Sequence, residues 1–246
     1  MSVETLFAFV KSMLPKVLGW AFERFKTRNP IEFSVEQFVE DQWGVVFPGR
    51  RDELSKLEGK KNSGDVLHSK LLNLGAVDYG ETRIRLRLRA KTDAPVLVRQ
   101  ITAEATKSAP AEGIKITHPT SGASDSILLL VDFDDDGTQL PLWSAVEESF
   151  EVKREGVRPF FSRKQLNLSK ASYETLIIVA KTSRYSVGWK LKIDYEVCGN
   201  RDSIQVDNRG VPFRTTGTPL NGHAEDLVWA WYDGHRLLPA SELDTK

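Results

Sequence analysis

The spacing of apolar residues changes between the start of the chain and the remainder. Over residues 5–26 apolar side chains recur every three or four positions, which is the spacing of one helical face, and Lys11 and Lys16 lie on the narrow polar side. This pattern predicts one helix, kinked at Pro15, because proline lacks the N–H that a helix interior uses. The residues of this helix that we expect to dock on another surface are Leu6, Phe7, Phe9, Val10, Met13, Val17, Trp20, Phe22 and Phe25.

Weaker helical signals follow. Ser34 and Gln37 have capping-box spacing and precede two apolar residues, which predicts a second, short helix. Residues 51–57 are expected to form one or two further turns. The stretch after them is rich in Gly, Lys, Asn and Ser, which is typical of a loop or linker, so we place a boundary at residue 64.

From about Glu81 the apolar residues alternate with polar ones, as expected for strands with one buried face. Residues 186–197 are the clearest example, and Trp189 in this run is expected to anchor a core. Many short strands without intervening helices predict a mainly β protein, an antiparallel β-sandwich of immunoglobulin-like or jelly-roll-like type with an N-terminal α-helical region and a C-terminal extension.

Three regions are therefore predicted. Residues 1–64 form an N-terminal helical region with its linker, residues 65–217 form the β-sandwich domain, and residues 218–246 form an aromatic-rich C-terminal extension. Because the extension contains Trp229, Trp231 and other apolar side chains, it is expected to dock on the body rather than remain in water.

Composition limits the environment and the partners. The chain has 246 residues with 34 basic and 34 acidic side chains, so no net charge draws it toward nucleic acid or an anionic membrane. Its single cysteine, Cys198, rules out an intrachain disulfide and a multi-thiolate zinc site. Since the apolar start also lacks the preceding positive charge of a secretory signal, we expect a cytoplasmic protein, with a peripheral position on the membrane as the alternative.

A row of cations lies in one predicted strand. Arg83, Arg85, Arg87 and Arg89 alternate with apolar residues, so one face of the strand would present them all. Such a row can contact phosphates, which makes a nucleic-acid-binding module an alternative function. Pairing with acidic residues of a neighbouring strand, such as Glu104, explains the row equally well, and the exposed set lacks the aromatic residues that stack on bases.

Asp132, Asp134 and Asp136 reproduce the opening of a calcium-binding loop. The twelfth position of that loop is Trp143, where a bidentate Glu is needed, and Glu147 or Glu148 would have to fold back to replace it. A solvated hairpin turn is the alternative interpretation. Calcium is thus the one possible cofactor, and a metal-dependent hydrolase is a second alternative function.

Histidine spacing gives no further catalytic or zinc motif. The four histidines are expected in surface loops; they are His68, His118, His223 and His235. We therefore expect a non-catalytic binding or scaffolding protein that associates with a protein partner, with itself or with a membrane surface through its N-terminal amphipathic helix. Burial of that helix within the chain's own core is the competing interpretation.

Deletion of residues 1–28 tests the docking hypothesis. We expect the truncated protein to lose self-association and liposome binding, because the apolar face of the helix is removed, while its thermal unfolding stays cooperative. Light scattering of both proteins, with and without liposomes, measures this. Loss of the cooperative transition on truncation would instead assign the helix to the core.

Overall fold

The computed structural model describes residues 29–39, 43–119, 128–144 and 158–242. The predicted helix over residues 5–26 lies outside them. The described chain is mainly β, as predicted. Its strands are β1 Ile31–Gln37, β2 Trp43–Phe47, β3 Val77–Tyr79, β4 Glu81–Ala90, β5 Val96–Ser108, β6 Ile114–His118, β7 Leu128–Asp132, β8 Gln139–Pro141, β9 Trp143–Ser144, β10 Leu166–Leu168, β11 Glu174–Lys181, β12 Ser186–Val197, β13 Asn200–Val206, β14 Phe213–Thr216, β15 Glu225–Ala230 and β16 Arg236–Pro239.

Two α-helices and three short 3-10 turns complete the described elements. The helices are α1 Arg51–Leu54 and α2 Gly64–Asn73, and the 3-10 turns are Ser55–Leu57, Phe160–Ser162 and Ala240–Glu242. Among the described residues, no helix is both long enough and apolar enough to cross a membrane.

The strands form two sheets. Sheet A has the order β1-β4-β11-β7-β9, and sheet B has the order β10-β5-β12-β14-β3-β2-β6-β15-β16, with β13 beside β12 and β8 beside β5. Both sheets are mixed, since β7 pairs in parallel with β11, β3 with β14 and β6 with β15. The expectation of antiparallel pairing throughout is therefore wrong. Alternation of apolar residues indicates a buried face, but it does not reveal strand direction.

The main core takes residues from both sheets. Strand β4 of sheet A buries its apolar positions, among them Leu86, and β12 of sheet B buries Trp189 and Leu191. Trp189 is fully buried, as the sequence indicates, and its indole N–H donates to the Thr215 hydroxyl at 3.0 Å. The inward-facing residues of the alternating strands therefore form both sides of one apolar core.

A second core lies between sheet B and the helices. Leu54 of α1 and Leu67 and Leu71 of α2 pack with Phe47 and Trp229 of the sheet. Helix α2 was not predicted. Residues before it were assigned to a linker, and only the spacing of Leu67 and Leu71, four positions apart, marks its buried face.

The helix predicted from Ser34 is also wrong, because residues 31–37 form β1. Ile31, Phe33 and Val35 alternate with polar residues, and pairing with β4 along seven positions overrides the local capping-box spacing. Strand pairing crosses both predicted region boundaries, since β2 and β15 each pair with β6. The division at residues 64 and 217 stays a prediction.

Replacement of Thr215 by Val tests the polar contact within the main core. The Thr215 hydroxyl accepts from Trp189 and lies 2.7 Å from the Thr82 hydroxyl, so its loss leaves a buried indole N–H unpaired. We expect the free energy of unfolding to fall by about 1–3 kcal/mol. Urea denaturation measures this, with Thr106→Val at an exposed position as the control. Equal midpoints for the two variants would contradict the prediction.

Candidate functional site

A β-bulge interrupts the central strand pair of sheet B. Strands β5 and β12 keep one register from Ser108 as far as Gln100, which faces Asp194, but Tyr195 then faces Val98. Arg99 is thus an extra residue in β5. Bulges bend a strand and redirect its side chains, and they are frequent beside binding sites.

The opposite edge of β5 lacks a paired strand at the same place. Strand β10 pairs with Val96–Val98 and β8 pairs with Thr102–Glu104. Within the described parts of the chain, no strand pairs with residues 99–101 on this side. The bulge and the gap in pairing therefore coincide.

A polar cleft of about 430 Å³ lies over the bulge. Arg99 binds the Glu196 carboxylate through Nε at 2.7 Å and Nη2 at 2.5 Å, and Arg201 Nε lies 3.6 Å from the same carboxylate. Burial raises the pKa of the Tyr195 hydroxyl, and the nearby Asp202 carboxylate raises it further, so this hydroxyl stays protonated. The lining residues are Arg99, Gln100, Asp194, Tyr195, Arg201, Asp202 and Ser203.

A smaller apolar cleft of about 180 Å³ adjoins the polar one at Gln100, whose exposed side chain lines both. Its other lining residues are Ile101, Pro141, Leu142, Pro159, Phe161 and Ser162. The combined surface offers charged and amide groups on one side and proline and phenyl surface on the other. Such a surface can bind a ligand through hydrogen bonds and apolar burial together.

The sequence contains a signal for this site in the positions of the buried apolar residues of β5. In β5 the buried apolar residues fall on even positions as far as Val98 and on odd positions from Ile101 onward. Because strand alternation has a period of two, this change of phase indicates one inserted residue.

The arginine row of β4 is largely neutralised by acidic residues. Arg85 binds Glu36 at 2.9 Å and Arg89 binds Glu32 at 2.8 Å, both across the pairing of β1 with β4. Arg83 binds Glu81 at 2.7 Å. These contacts support the acid-pairing interpretation, although the carboxylates come from β1 and β4 and not from Glu104, whose oxygens accept from two glutamines.

Aromatic rings also cover two of these arginines. The Arg85 guanidinium lies 4.5 Å from the Phe38 ring centroid, and that of Arg89 lies 4.6 Å from the Tyr173 centroid. Among the described residues, none forms an ion pair with Arg87. The nucleic-acid interpretation of the row stays a prediction, with most of its cations already engaged.

The aspartate loop after β7 is tied to the turn between β11 and β12. Asp134 accepts hydrogen bonds from the Thr182 hydroxyl at 2.9 Å and from the Ser183 amide at 2.8 Å. Burial raises the pKa of Asp134, but these bonds and one from Arg184 outweigh burial, so the pKa lies below its usual value. Asp134 therefore has a structural role in this turn.

The structure does not bring Asp132, Asp134 and Asp136 together as a metal site. Among the described residues, no group of three or more His, Cys, Asp or Glu side chains is arranged to hold a metal ion. The two glutamates proposed to complete the calcium loop, Glu147 and Glu148, lie outside the described residues, so the calcium hypothesis is a prediction still to be tested.

Two of the four histidines are buried in elements, so the expectation of surface loops is wrong for them. His68 of α2 lies 2.7 Å from the Asp78 carboxylate, whose other oxygen accepts from Gln37 at 2.7 Å. His118 of β6 stacks on Trp43, with ring centroids 5.1 Å apart and planes at 15°. The sequence pattern does not predict α2, which helps to cover this face of sheet B, and it therefore does not predict the burial of the two histidines.

Comparison with protein-family models, with curated proteins and with solved structures finds no match to this chain. The docking residues Leu6 to Phe25 lie outside the described residues. The candidate site therefore rests on the geometry at the β5 bulge alone.

His118 predicts a pH dependence of stability. Burial lowers its pKa below the ordinary 6.5, so the unfolded chain binds a proton that the folded chain excludes. The free energy of unfolding is therefore expected to fall as the pH drops below about 6.5. In His118→Phe, which keeps a ring beside Trp43, this fall should be smaller between pH 7 and pH 5. Urea denaturation at several pH values measures it, and an unchanged pH profile would refute the assignment.

Proposed function

We propose that this chain is a non-catalytic binding protein that holds an extended peptide segment in the two adjoining clefts at the β5 bulge. The observation that carries the proposal is the interruption of strand pairing at residues 99–101, where both clefts meet at Gln100. An open stretch of strand edge is a recurrent binding surface for extended peptides.

The chemistry of the two clefts favours a peptide over a small anion. The guanidinium groups of Arg99 and Arg201 share the Glu196 carboxylate, and Asp194 and Asp202 also line the cleft, so the two cations do not offer an unopposed positive site. An extended peptide instead presents polar backbone groups and side chains that alternate in direction. One apolar side chain would contact Pro141 and Phe161 while polar groups contact Gln100. The volume of the polar cleft, about 430 Å³, lies in the range of ligand sites.

The wider role rests on the sequence. We retain the proposal of a scaffolding component that associates with a protein partner, with itself or with a membrane surface through the predicted N-terminal helix, and of a cytoplasmic location. A sandwich of immunoglobulin-like or jelly-roll-like type is likewise proposed, and the core shared by the two sheets supports it. The arginine row and the aspartate loop remain the basis of the two alternative functions.

Replacement of Gln100 by Trp tests the peptide site. Gln100 is exposed and lines both clefts, so an indole there would fill the shared entrance without removing a packed side chain. Peptides selected by the wild-type chain from a phage-displayed random library should bind Gln100→Trp at least tenfold more weakly, a loss of about 1.4 kcal/mol. Fluorescence anisotropy with labelled peptides measures the affinities.

The matched control is Thr106→Trp, which adds the same ring at an exposed position of the same strand face, away from the clefts. Peptide binding to this variant should equal that of the wild type. If the library yields no binding peptide, or if the selected peptides bind both Trp variants equally, the proposed site is wrong.

A further inference from the structure

Strand β1 is an edge of sheet A, since no strand of the described residues pairs with its outer side. Among the described strands at sheet edges, β1 and β13 have seven residues each, whereas β9, β10 and β16 have two to four. Exposed β13 carries charged residues such as Arg201 and Asp202, a common protection of an edge against further pairing. Strand β1 also carries two charged residues, Glu32 and Glu36, but both are held by arginines of β4, and the strand exposes 36% of Phe33. A long edge with exposed apolar surface is a template for another strand.

The hydrogen-bonding groups of β1 can be assigned to its two sides. The Pro30 carbonyl accepts from Lys91 at 2.8 Å, and the Phe38 amide donates to Arg83 at 3.1 Å. In an antiparallel pair such bonds recur at every second residue, so the even positions of β1 bond to β4. The N–H and C=O groups of Phe33 and Val35 therefore point away from β4, toward the open side.

The charged residues beside this edge favour an acidic residue at one position of an added strand, the position that faces Ser34. Glu32 and Glu36 bind Arg89 and Arg85, respectively. Arg87 faces Ser34 and, within the described residues, forms no ion pair. A carboxylate placed beside Ser34 by an added strand would thus lie next to the arginine of the row that forms no ion pair with a described residue.

We propose that a second copy of this chain occupies the edge, with β1 paired antiparallel to β1 of the second copy about a twofold axis at Val35. Val35 then faces Val35 of the second copy, and Phe33 faces Gln37 of the second copy, so the outward-pointing groups of odd positions bond to each other. Ser34 faces Glu36 of the second copy, which brings that carboxylate toward Arg87. The symmetry repeats each contact on the other side.

The neighbouring register, with the axis at Ser34, is disfavoured by charge. It would set Glu32 directly opposite Glu36 of the second copy, and like charges in that position are destabilising. In the proposed register the five strands of sheet A continue into the five of the second copy, and Phe33 is covered. This inference does not depend on the peptide site, which lies on sheet B.

Cysteine cross-linking tests both the dimer and its register. In a Cys198→Ser background, which removes the exposed native thiol, Val35→Cys is expected to form a disulfide-linked dimer under mild oxidation. Facing residues of a hydrogen-bonded pair have Cα atoms about 5.5 Å apart, within the range that a disulfide spans. Ser34→Cys in the same background is the matched control and should form little disulfide-linked dimer, because Ser34 faces Glu36 of the second copy. Preferential linkage of Ser34→Cys, or of neither variant, would overturn the proposal.

Sedimentation velocity on the full chain gives a second measurement without cysteine chemistry. The wild type is expected to shift from monomer to dimer as its concentration rises, because we assign self-association to β1 and leave the predicted N-terminal helix to a partner or a membrane. Phe33→Pro removes both the outward N–H and the phenyl ring, which the proposed pairing uses, and should abolish that shift. Because Phe33 is only 36% exposed, a cooperative thermal transition must first show that the variant is folded. A wild-type chain that stays monomeric at every concentration, or a Phe33→Pro chain that keeps its fold and still dimerises, would refute this use of the edge.

Discussion

The pairing of β5 with β12 is the interaction on which the rest of the described structure depends. It is the longest pairing in sheet B, from Ser108 and Ser186 to Val96 and Val197, and it brings Trp189 and Leu191 onto the inner wall of the main core. Strands β13 and β14 pair with the other edge of β12, and β8 and β10 with the other edge of β5. The same pairing contains the bulge at Arg99, so the irregularity that creates the clefts lies at the centre of the sheet.

The position of that bulge explains why the clefts form where they do. Strands β10 and β8 lie on one side of β5, but the extra residue changes which side chains face outward between them. Continuous pairing across Arg99 would require one partner strand to follow the same bend. Instead, the short strands β10 and β8 pair with β5 on either side of the bulge and leave residues 99–101 unpaired between them. The Glu196 carboxylate then fixes the Arg99 side chain in the cleft and limits the unpaired charge there.

Much of the architecture was predictable because a strand with one buried face alternates with a fixed period. This holds for β4 and β12, whose inward residues, Ile84 to Ala90 and Val187 to Tyr195, are all buried at every second position. Strand direction and partner choice were not predictable, since they depend on contacts distant in sequence. The capping-box spacing of Ser34 failed for the same reason: pairing of β1 with β4 contributes more than a local helix signal. The bulge is visible in the sequence, because the buried apolar residues change from even to odd positions between Val98 and Ile101. The sequence does not reveal which strands pair beside the bulge, so the gap between β10 and β8 could not be predicted.

The ion pairs between β1 and β4 show that the role of the arginine row depends on the residues of the adjacent strand. Arg85 and Arg89 are each partly exposed, so the contacts with Glu36 and Glu32 contribute little to stability individually. Their position across one strand pair gives them a different effect: a shift of β1 by one residue would turn both glutamates to the opposite face and remove both contacts. The row therefore acts together with the buried Ile31 and the partly buried Val35 in fixing the register of this edge strand. Glu32 and Glu36 are engaged in this way, and among the described residues none forms an ion pair with Arg87 beside the small Ser34, so negative charge on a further strand would be favourable there.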